Sequence, residues 1–301
     1  MKGKKSIAIE WNRFLFSLVI AVFHMSAQRE FFPNTYVVSE FFFIVTGFLT
    51  IKSVVEMDGK ETEHVTEMTV RFFEKKFISL LPYSIFAFVM SIPILWFTER
   101  WKLVEAAKNI LYGIPEMLFL GESGLKFVTY NRQVWYISAM LIALAIIYPM
   151  MVKDVKRFLY VFTPVGTALL YGFIYHHFWN GFIAGPYESY FILRWTVIRA
   201  LAGLLLGCLM YALCQAVERR DIFCNAFWHF MELAGYLFML AYAAFASGTV
   251  AALEHIAVYC LGISVMVSFS KYSLFKRLKN FEGGGRKDCM LFGKTEQIGF
   301  L

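Results

Sequence analysis

The chain has 301 residues, of which 59% are hydrophobic and only 17% charged, with 33 Phe and 16 Tyr. That much apolar surface excludes an ordinary water-soluble domain and fits a polytopic membrane protein, whose spanning helices need about 20 apolar residues each. A net charge of +7 does not point to nucleic acid, because the basic residues are dispersed among the connections between apolar runs.

Eight apolar runs are expected to span. The first, about Ile7 to Ser26, follows Lys2, Lys4 and Lys5. Such a start resembles a signal peptide, but no small-residue cleavage site follows, so the run reads as a retained span with its start in the cytoplasm. Pro33-Asn34 marks a turn, and the second span, about Tyr36 to Val54, carries Glu40 and Thr46-Gly47-Phe48. Gly47 suits close approach of a neighbouring helix. Residues Glu56 to Lys76 mix Lys and Arg with Glu, as a cytoplasmic connection and a solvated amphipathic helix would. The third span, about Phe77 to Phe97, has Pro82 in its first turns, compatible with a helix start or a kink. Thr98 to Gln133 is then expected outside, and its apolar piece Ile110 to Leu120 is too short to cross, so it reads as interfacial or re-entrant.

The fourth span, about Trp135 to Met151, leads to the basic loop Lys153-Asp154-Val155-Lys156-Arg157, cytoplasmic by the same charge rule. The fifth, about Leu159 to Tyr175, ends at His176-His177, whose adjacent spacing suits an interfacial role better than zinc. The sixth, about Tyr190 to Leu213, carries Arg194 and Arg199, the latter about 13 Å into the helix, where an anionic partner or substrate group is expected. The seventh and eighth, about Asn225 to Ala244 and Thr249 to Phe269, form a hairpin before the basic stretch Lys271 to Lys279. Cys208, Cys214, Cys224, Cys260 and Cys289 lack metal-ligand spacing and read as reduced, largely buried thiols, so no metal site is expected. The fold class is an all-α transmembrane helical bundle forming one domain over residues 1–301, multi-pass in the cell membrane.

Arg13 and His24 stand apart. Eleven positions on a helix amount to three turns plus about 20°, so both project from one face, about 16 Å apart. Singly, Arg13 near the helix start could snorkel and His24 could sit neutral and hydrogen-bonded. Together on one face of an apolar helix they suggest a functional pair.

With these residues in place, the chain resembles acyltransferase family 3, integral-membrane enzymes that O-acetylate bacterial surface polysaccharides. Arg13, ten intervening residues and His24 resemble the family's first-helix motif. Glu40, Phe42, Phe43, Thr46, Gly47 and Phe48 resemble its second, with Thr46 in place of Ser; Trp135-Tyr136-Ile137-Ser138 with Pro149 resembles a third. The Arg199 to Gly207 segment is similar to a looser feature. Where the family has two arginines three residues apart, this chain has Lys76 and Ser79 ahead of Pro82, and Lys lacks the bidentate fork of Arg. Leu291-Phe292-Gly293-Lys294 resembles the start of the family's closing helices, so about eight of the usual ten spans are expected here, in a truncated or frame-disrupted copy.

The resemblance implies transfer of an acyl group, acetyl in the typical case, from acyl-coenzyme A to a hydroxyl of a carbohydrate or glycolipid acceptor. No bound cofactor is implied. His24 is the expected general base, since its unperturbed pKa is about 6.5. Arg13 suits the anionic donor or its thioester. Glu40 would orient His24 or Arg13, or equally serve as the charge partner of Arg13. Arg199, Trp135, Lys76 and Thr46 are the expected substrate-binding residues. Two rival readings are a secondary transporter, in which Arg, Glu and His form an ion pathway, and an inactive membrane scaffold. Neither nucleic acid nor metal is expected as a partner.

Overall fold

The structure is a computed structural model that describes residues 6–25, 32–58, 64–125, 129–130, 134–177, 189–190, 193–220, 223–246 and 251–276. The expectations placed on Lys2, Lys4 and Lys5, on Cys289 and on Leu291 to Lys294 lie outside these residues. The protein is all-α and polytopic, and among the described residues seven helices are long and apolar enough to cross a membrane. In chain order the helices are α1 (Ile7–Met25), α2 (Ser39–Met57), α3 (Val65–Glu99), α4 (Leu103–Met117), α5 (Trp135–Lys153), α6 (Val155–Arg157), α7 (Thr163–His177), α8 (Trp195–Arg220), α9 (Asn225–Phe245) and α10 (Ala251–Phe269). A two-stranded antiparallel hairpin, β1 (Ser189–Tyr190) with β2 (Leu193–Arg194), precedes α8.

Several boundaries differ from the sequence reading, each for a local reason. The helix of the third span does not begin at Phe77: α3 starts at Val65, within the charged stretch, and runs unbroken for 35 residues, about 52 Å. Pro82 is therefore interior to a helix and not at its start. It is exposed, and neighbours in a membrane helix can re-satisfy the carbonyl that proline frees. The sixth span starts at Trp195 because Ser189–Tyr190 and Leu193–Arg194 pair as strands. Arg199 thus lies about 6 Å into its helix instead of 13 Å. The fifth span opens through α6 and a π-helical turn, Phe158–Phe162, whose Phe158 carbonyl accepts a 3.0 Å hydrogen bond from the Thr163 hydroxyl. Of the eight expected spans, α9 alone is missing from the seven apolar ones. Its 21 residues are long enough, but Asn225, His229 and Glu232 lower its hydropathy.

The chain divides into two compact units. One comprises Met1–Val38, Ala212–Gly248 and Ile256–Leu301; the other comprises Ser39–Tyr211 and Thr249–His255. In the first unit Glu232 explains why a carboxylate is tolerated in an apolar helix. Fully buried, it accepts hydrogen bonds from the hydroxyls of Ser268 (2.7 Å) and Ser273 (3.0 Å) and from the backbone N–H of Leu274 (2.8 Å). Tyr236 joins the same network through Ser268 at 2.9 Å, and Ser6 ties the start of α1 to the Ser268 carbonyl. Lys276 closes the end of α10 by donating to the carbonyls of Phe269 and Ser270, both at 2.7 Å, which satisfies carbonyls a helix end otherwise leaves open.

In the second unit α2 and α8 approach at backbone contact. A Cβ on Gly47 would fall 2.1 Å from the Leu204 carbonyl oxygen, and one on Gly207 would fall 2.1 Å from that of Ile44. The helices can meet only because these positions lack side chains. Residues 199, 203 and 207 recur every four positions on α8, and 40, 44 and 47 recur on the facing side of α2, so the glycine stripe and the charged residues share one seam.

Candidate functional site

The α2–α8 seam ends in a buried ion pair. Glu40 is fully buried and Arg199 is 4% exposed. Arg199 donates from Nε (3.1 Å) and Nη2 (2.9 Å) to Oε1 of Glu40, and Nη2 also donates to the Ser39 hydroxyl at 3.1 Å. Its guanidinium lies 5.4 Å from the centre of the Trp135 ring, a cation–π distance. Trp135 is fixed in turn by Phe43, ring centres 6.4 Å apart, while Phe42 packs on Tyr136 at 5.9 Å. Gly203 leaves the room this needs, since a Cβ there would lie 2.7 Å from that of Phe43 and 3.0 Å from Oε2 of Glu40. Each charge is costly in a low-dielectric interior, and the pairing offsets that cost. The sequence reading expects an anionic partner or substrate group at Arg199 and places Glu40 with Arg13 or His24; in the structure the partner of Arg199 is Glu40.

Other ionisable groups surround the pair. The Tyr171 hydroxyl and the Glu254 carboxyl lie near enough to Glu40 to act on its charge, and Glu254 is itself fully buried. His255, next in the chain, is buried between Tyr171 and Tyr175, edge-on to both with ring centres 5.9 and 5.3 Å away.

A second cluster involves Glu122, in a single 3-10 turn at Gly121–Ser123. The Glu122 N–H donates to the Ser138 hydroxyl at 2.9 Å, and that hydroxyl donates to the Phe119 carbonyl at 2.7 Å. The carboxylate accepts from the Thr196 hydroxyl and pairs with Arg194 at 3.7 Å. Burial pushes the Glu122 carboxyl above the usual carboxylate range, with Thr196 and Arg194 pulling the other way. Ser138 and Thr196 belong to the first turns of α5 and α8, so this cluster fastens the very helix starts that present Trp135 and Arg199. Glu122, Glu254 and His255 were not singled out in the sequence. Glu122 offered only a charge beside an apolar run, which many connections share, whereas Glu254 and His255 lie inside the eighth expected span, where ionisable residues are themselves a signal.

The remaining expected residues lie elsewhere. Arg13 and His24 are both on α1, which is one uninterrupted helix of 19 residues, so they do share a face as the spacing requires. Arg13 is half-buried and bound to Glu10 one turn earlier at 2.9 Å; Glu10 is thus its charge partner. His24 is exposed, near the end of α1, with the Phe23 ring edge-on at 5.2 Å. Lys76 sits 5.5 Å over the Phe72 ring on α3, and Phe72 stacks on Tyr148 of α5 at 3.9 Å. Thr46 is half-buried beside Gly47. His176 and His177 end α7 exposed, with His177 resting on Phe173, ring centres 4.0 Å apart. Among the described residues no three His, Cys, Asp or Glu side chains gather as metal ligands. Compared with protein-family models, curated proteins and solved structures, the chain matches none.

Proposed function

We propose that this protein is a membrane-bound O-acyltransferase that moves an acyl group, acetyl in the simplest case, from acyl-coenzyme A to a hydroxyl of a surface carbohydrate. The observation that carries the reading is α1, where a half-buried arginine and an exposed histidine stand in line on one helix. The four stretches that resemble acyltransferase family 3 support it. Their second and third motifs meet in space, with Phe42 and Phe43 of α2 against Tyr136 and Trp135 of α5.

In this reading His24 takes the proton of the acceptor hydroxyl. The oxygen attacks the thioester carbonyl, the C–S bond breaks, and the thiolate leaving group regains the proton from His24. Arg13 is too far from His24, at about 16 Å along the axis, for both to touch the thioester. Its role is to grip the anionic portion of the donor. Glu40 acts through Arg199, holding its guanidinium against Trp135, one of the residues that the resemblance assigns to substrate.

The test is O-acyl content of surface glycans, by mass spectrometry, in the native host with the gene intact, deleted, or carrying His24→Ala. Loss in both altered strains and return with the intact gene supports the reading. Unchanged acylation on deletion overturns it. The buried Glu40–Arg199 pair is the feature that would suit a secondary transporter instead, and acyl-coenzyme A binding to the purified protein separates the two, since transport needs no acyl donor.

A further inference from the structure

Four helix ends of the first unit meet in one knot of contacts. The Ser6 hydroxyl, just before α1, donates at 2.9 Å to the Ser268 carbonyl near the end of α10. The Glu218 carboxylate, in the last turn of α8, accepts the Lys271 N–H at 2.6 Å, and the Lys271 ammonium donates to the Glu218 carbonyl at 3.1 Å. Tyr272 stacks on Trp228, in the first turn of α9, with ring centres 5.8 Å apart. The starts of α1 and α9 and the ends of α8 and α10 therefore lie at one level. That level is cationic. Arg219 and Arg220 are exposed just past Glu218, the Lys271 ammonium lies 5.0 Å over the Tyr272 ring, and Lys276 is held on the last carbonyls of α10. Lys4 and Lys5 immediately precede Ser6 in the chain. Against them stand only Asp221 and Glu218, the latter already bound to Lys271.

An apolar stripe begins at the same level. Phe223, just before α9, packs on Phe227 with ring centres 4.5 Å apart, and both rings meet Trp228. Phe227, Phe230, Leu233 and Leu237 follow one another at steps of three and four, so they share one face of α9 over about 15 Å. These four side chains and Phe223 are 36–67% exposed. Asn225, His229 and Glu232, which lower the hydropathy of α9, fall on the opposite side of the same helix at 100° per residue. The outward face of the least apolar span is thus hydrocarbon, and it starts where the cations stand.

A ligand for this surface presents an anion to the cations and hydrocarbon to the stripe within one molecule. A second copy of the chain does not, because two-fold pairing over this patch sets the same cations against each other. A free phosphate leaves the stripe uncovered. We propose that this end of the first unit is a binding site for an anionic phospholipid, with the headgroup phosphate among Arg219, Arg220 and Lys271 and an acyl chain along the α9 stripe. Guanidinium groups suit a phosphate because two N–H donors reach two oxygens, and cations at a bilayer surface hold anionic headgroups cumulatively. Lys271 is fixed in place by its bonds to Glu218, so part of the site is ordered before lipid arrives. This inference does not rest on the acyltransferase reading, and its failure would leave that reading standing.

The test is native mass spectrometry of the full chain released from detergent micelles and titrated with phosphatidylglycerol or phosphatidylcholine, which counts bound lipids and ranks their affinities. Phosphatidylglycerol should bind first and more tightly. Changing Arg219 and Arg220 together to Gln should weaken it about 30-fold. Removing the same charge from exposed positions of α6, with Lys156→Gln and Arg157→Gln, should leave it within about twofold. Equal losses for the two pairs would mean diffuse attraction to the whole protein, and equal binding of the two lipids would mean that the cations take no part. Displacement of phosphatidylglycerol by inorganic phosphate or coenzyme A at the same concentration would mean a site for soluble anions, and a two-chain species that lipid disperses would mean that a second copy covers the stripe. Each of these results overturns the proposal. The replaced residues are exposed, circular dichroism checks the fold of each variant, and the comparison of lipids and soluble anions on the unaltered chain stands without any variant.

Discussion

The Glu40–Arg199 pair gives the sharpest prediction about what holds the second unit together. Two hydrogen bonds from the guanidinium reach one carboxylate oxygen, at 3.1 and 2.9 Å, in a site where both residues are almost wholly buried. Charge-assisted bonds contribute about 1.5–3 kcal/mol each, so losing both amounts to about 3–6 kcal/mol. Breaking a buried pair by removing one partner costs about 3–5 kcal/mol, because the other charge is left without compensation. Glu40→Met and Arg199→Met should each lose that much. The double variant should fall well short of the sum, because two apolar side chains of similar size replace two charges and nothing is stranded. The assay is a double-mutant cycle of unfolding free energies in mixed micelles, by SDS titration followed by circular dichroism. A coupling energy of about 3 kcal/mol is expected. Additive losses, or a loss below about 1 kcal/mol for Glu40→Met alone, would refute the reasoning, since the pair would then not be energetically coupled.

Other outcomes follow from packing and hydrogen bonding. Gly47→Ala and Gly207→Ala should each destabilise by at least about 1–3 kcal/mol, because the new methyl meets backbone at 2.1 Å and the helices must part. Gly172→Ala, with open space around it, should be neutral or slightly stabilising in the same titration. Ser138→Ala removes both a donor and an acceptor from the Glu122 turn. It should cost about 1–3 kcal/mol and speed hydrogen exchange at the Glu122 amide, read by mass spectrometry, while Ser123→Ala, at an exposed hydroxyl, should leave that amide unchanged. Glu232→Ala leaves the hydroxyls of Ser268 and Ser273 and the Leu274 N–H without their acceptor. Faster proteolysis in the segment after α10 is the expected result, and unchanged cleavage would argue against Glu232 as its anchor.

Much of the architecture was legible in the chain because a bilayer imposes a length and a hydropathy on every span. Seven of the eight expected spans correspond to helices that meet both. α9 falls short because Asn225, His229 and Glu232 lower its hydropathy, and only folding explains why Glu232 is admissible there: serines from α10 and the turn after it supply its hydrogen bonds. Boundaries were less legible where charge and helix part company. Residues 65–76 read as a solvated amphipathic helix in a connection, and they are helical, but as the first turns of α3 and not as a separate element before the span. The alignment of Arg13 with His24 needed only the helical period, and α1 keeps it.

Partnership was the part that sequence could not supply. That Arg199 must have an anion followed from its place in an apolar run; that the anion is Glu40, 159 positions away, depended on α2 and α8 meeting at glycines. Glu122 became visible only once the starts of α5 and α8 converged on it, because a lone acid beside an apolar run has no periodicity to mark it; the surroundings of Glu254 and His255, though both lie inside an expected span, likewise came from the fold. Local rules of length, period and charge are written in consecutive residues, and so the spans were determined by the sequence alone. The company each buried charge keeps is set by contacts between distant segments, and only the tertiary structure decided it.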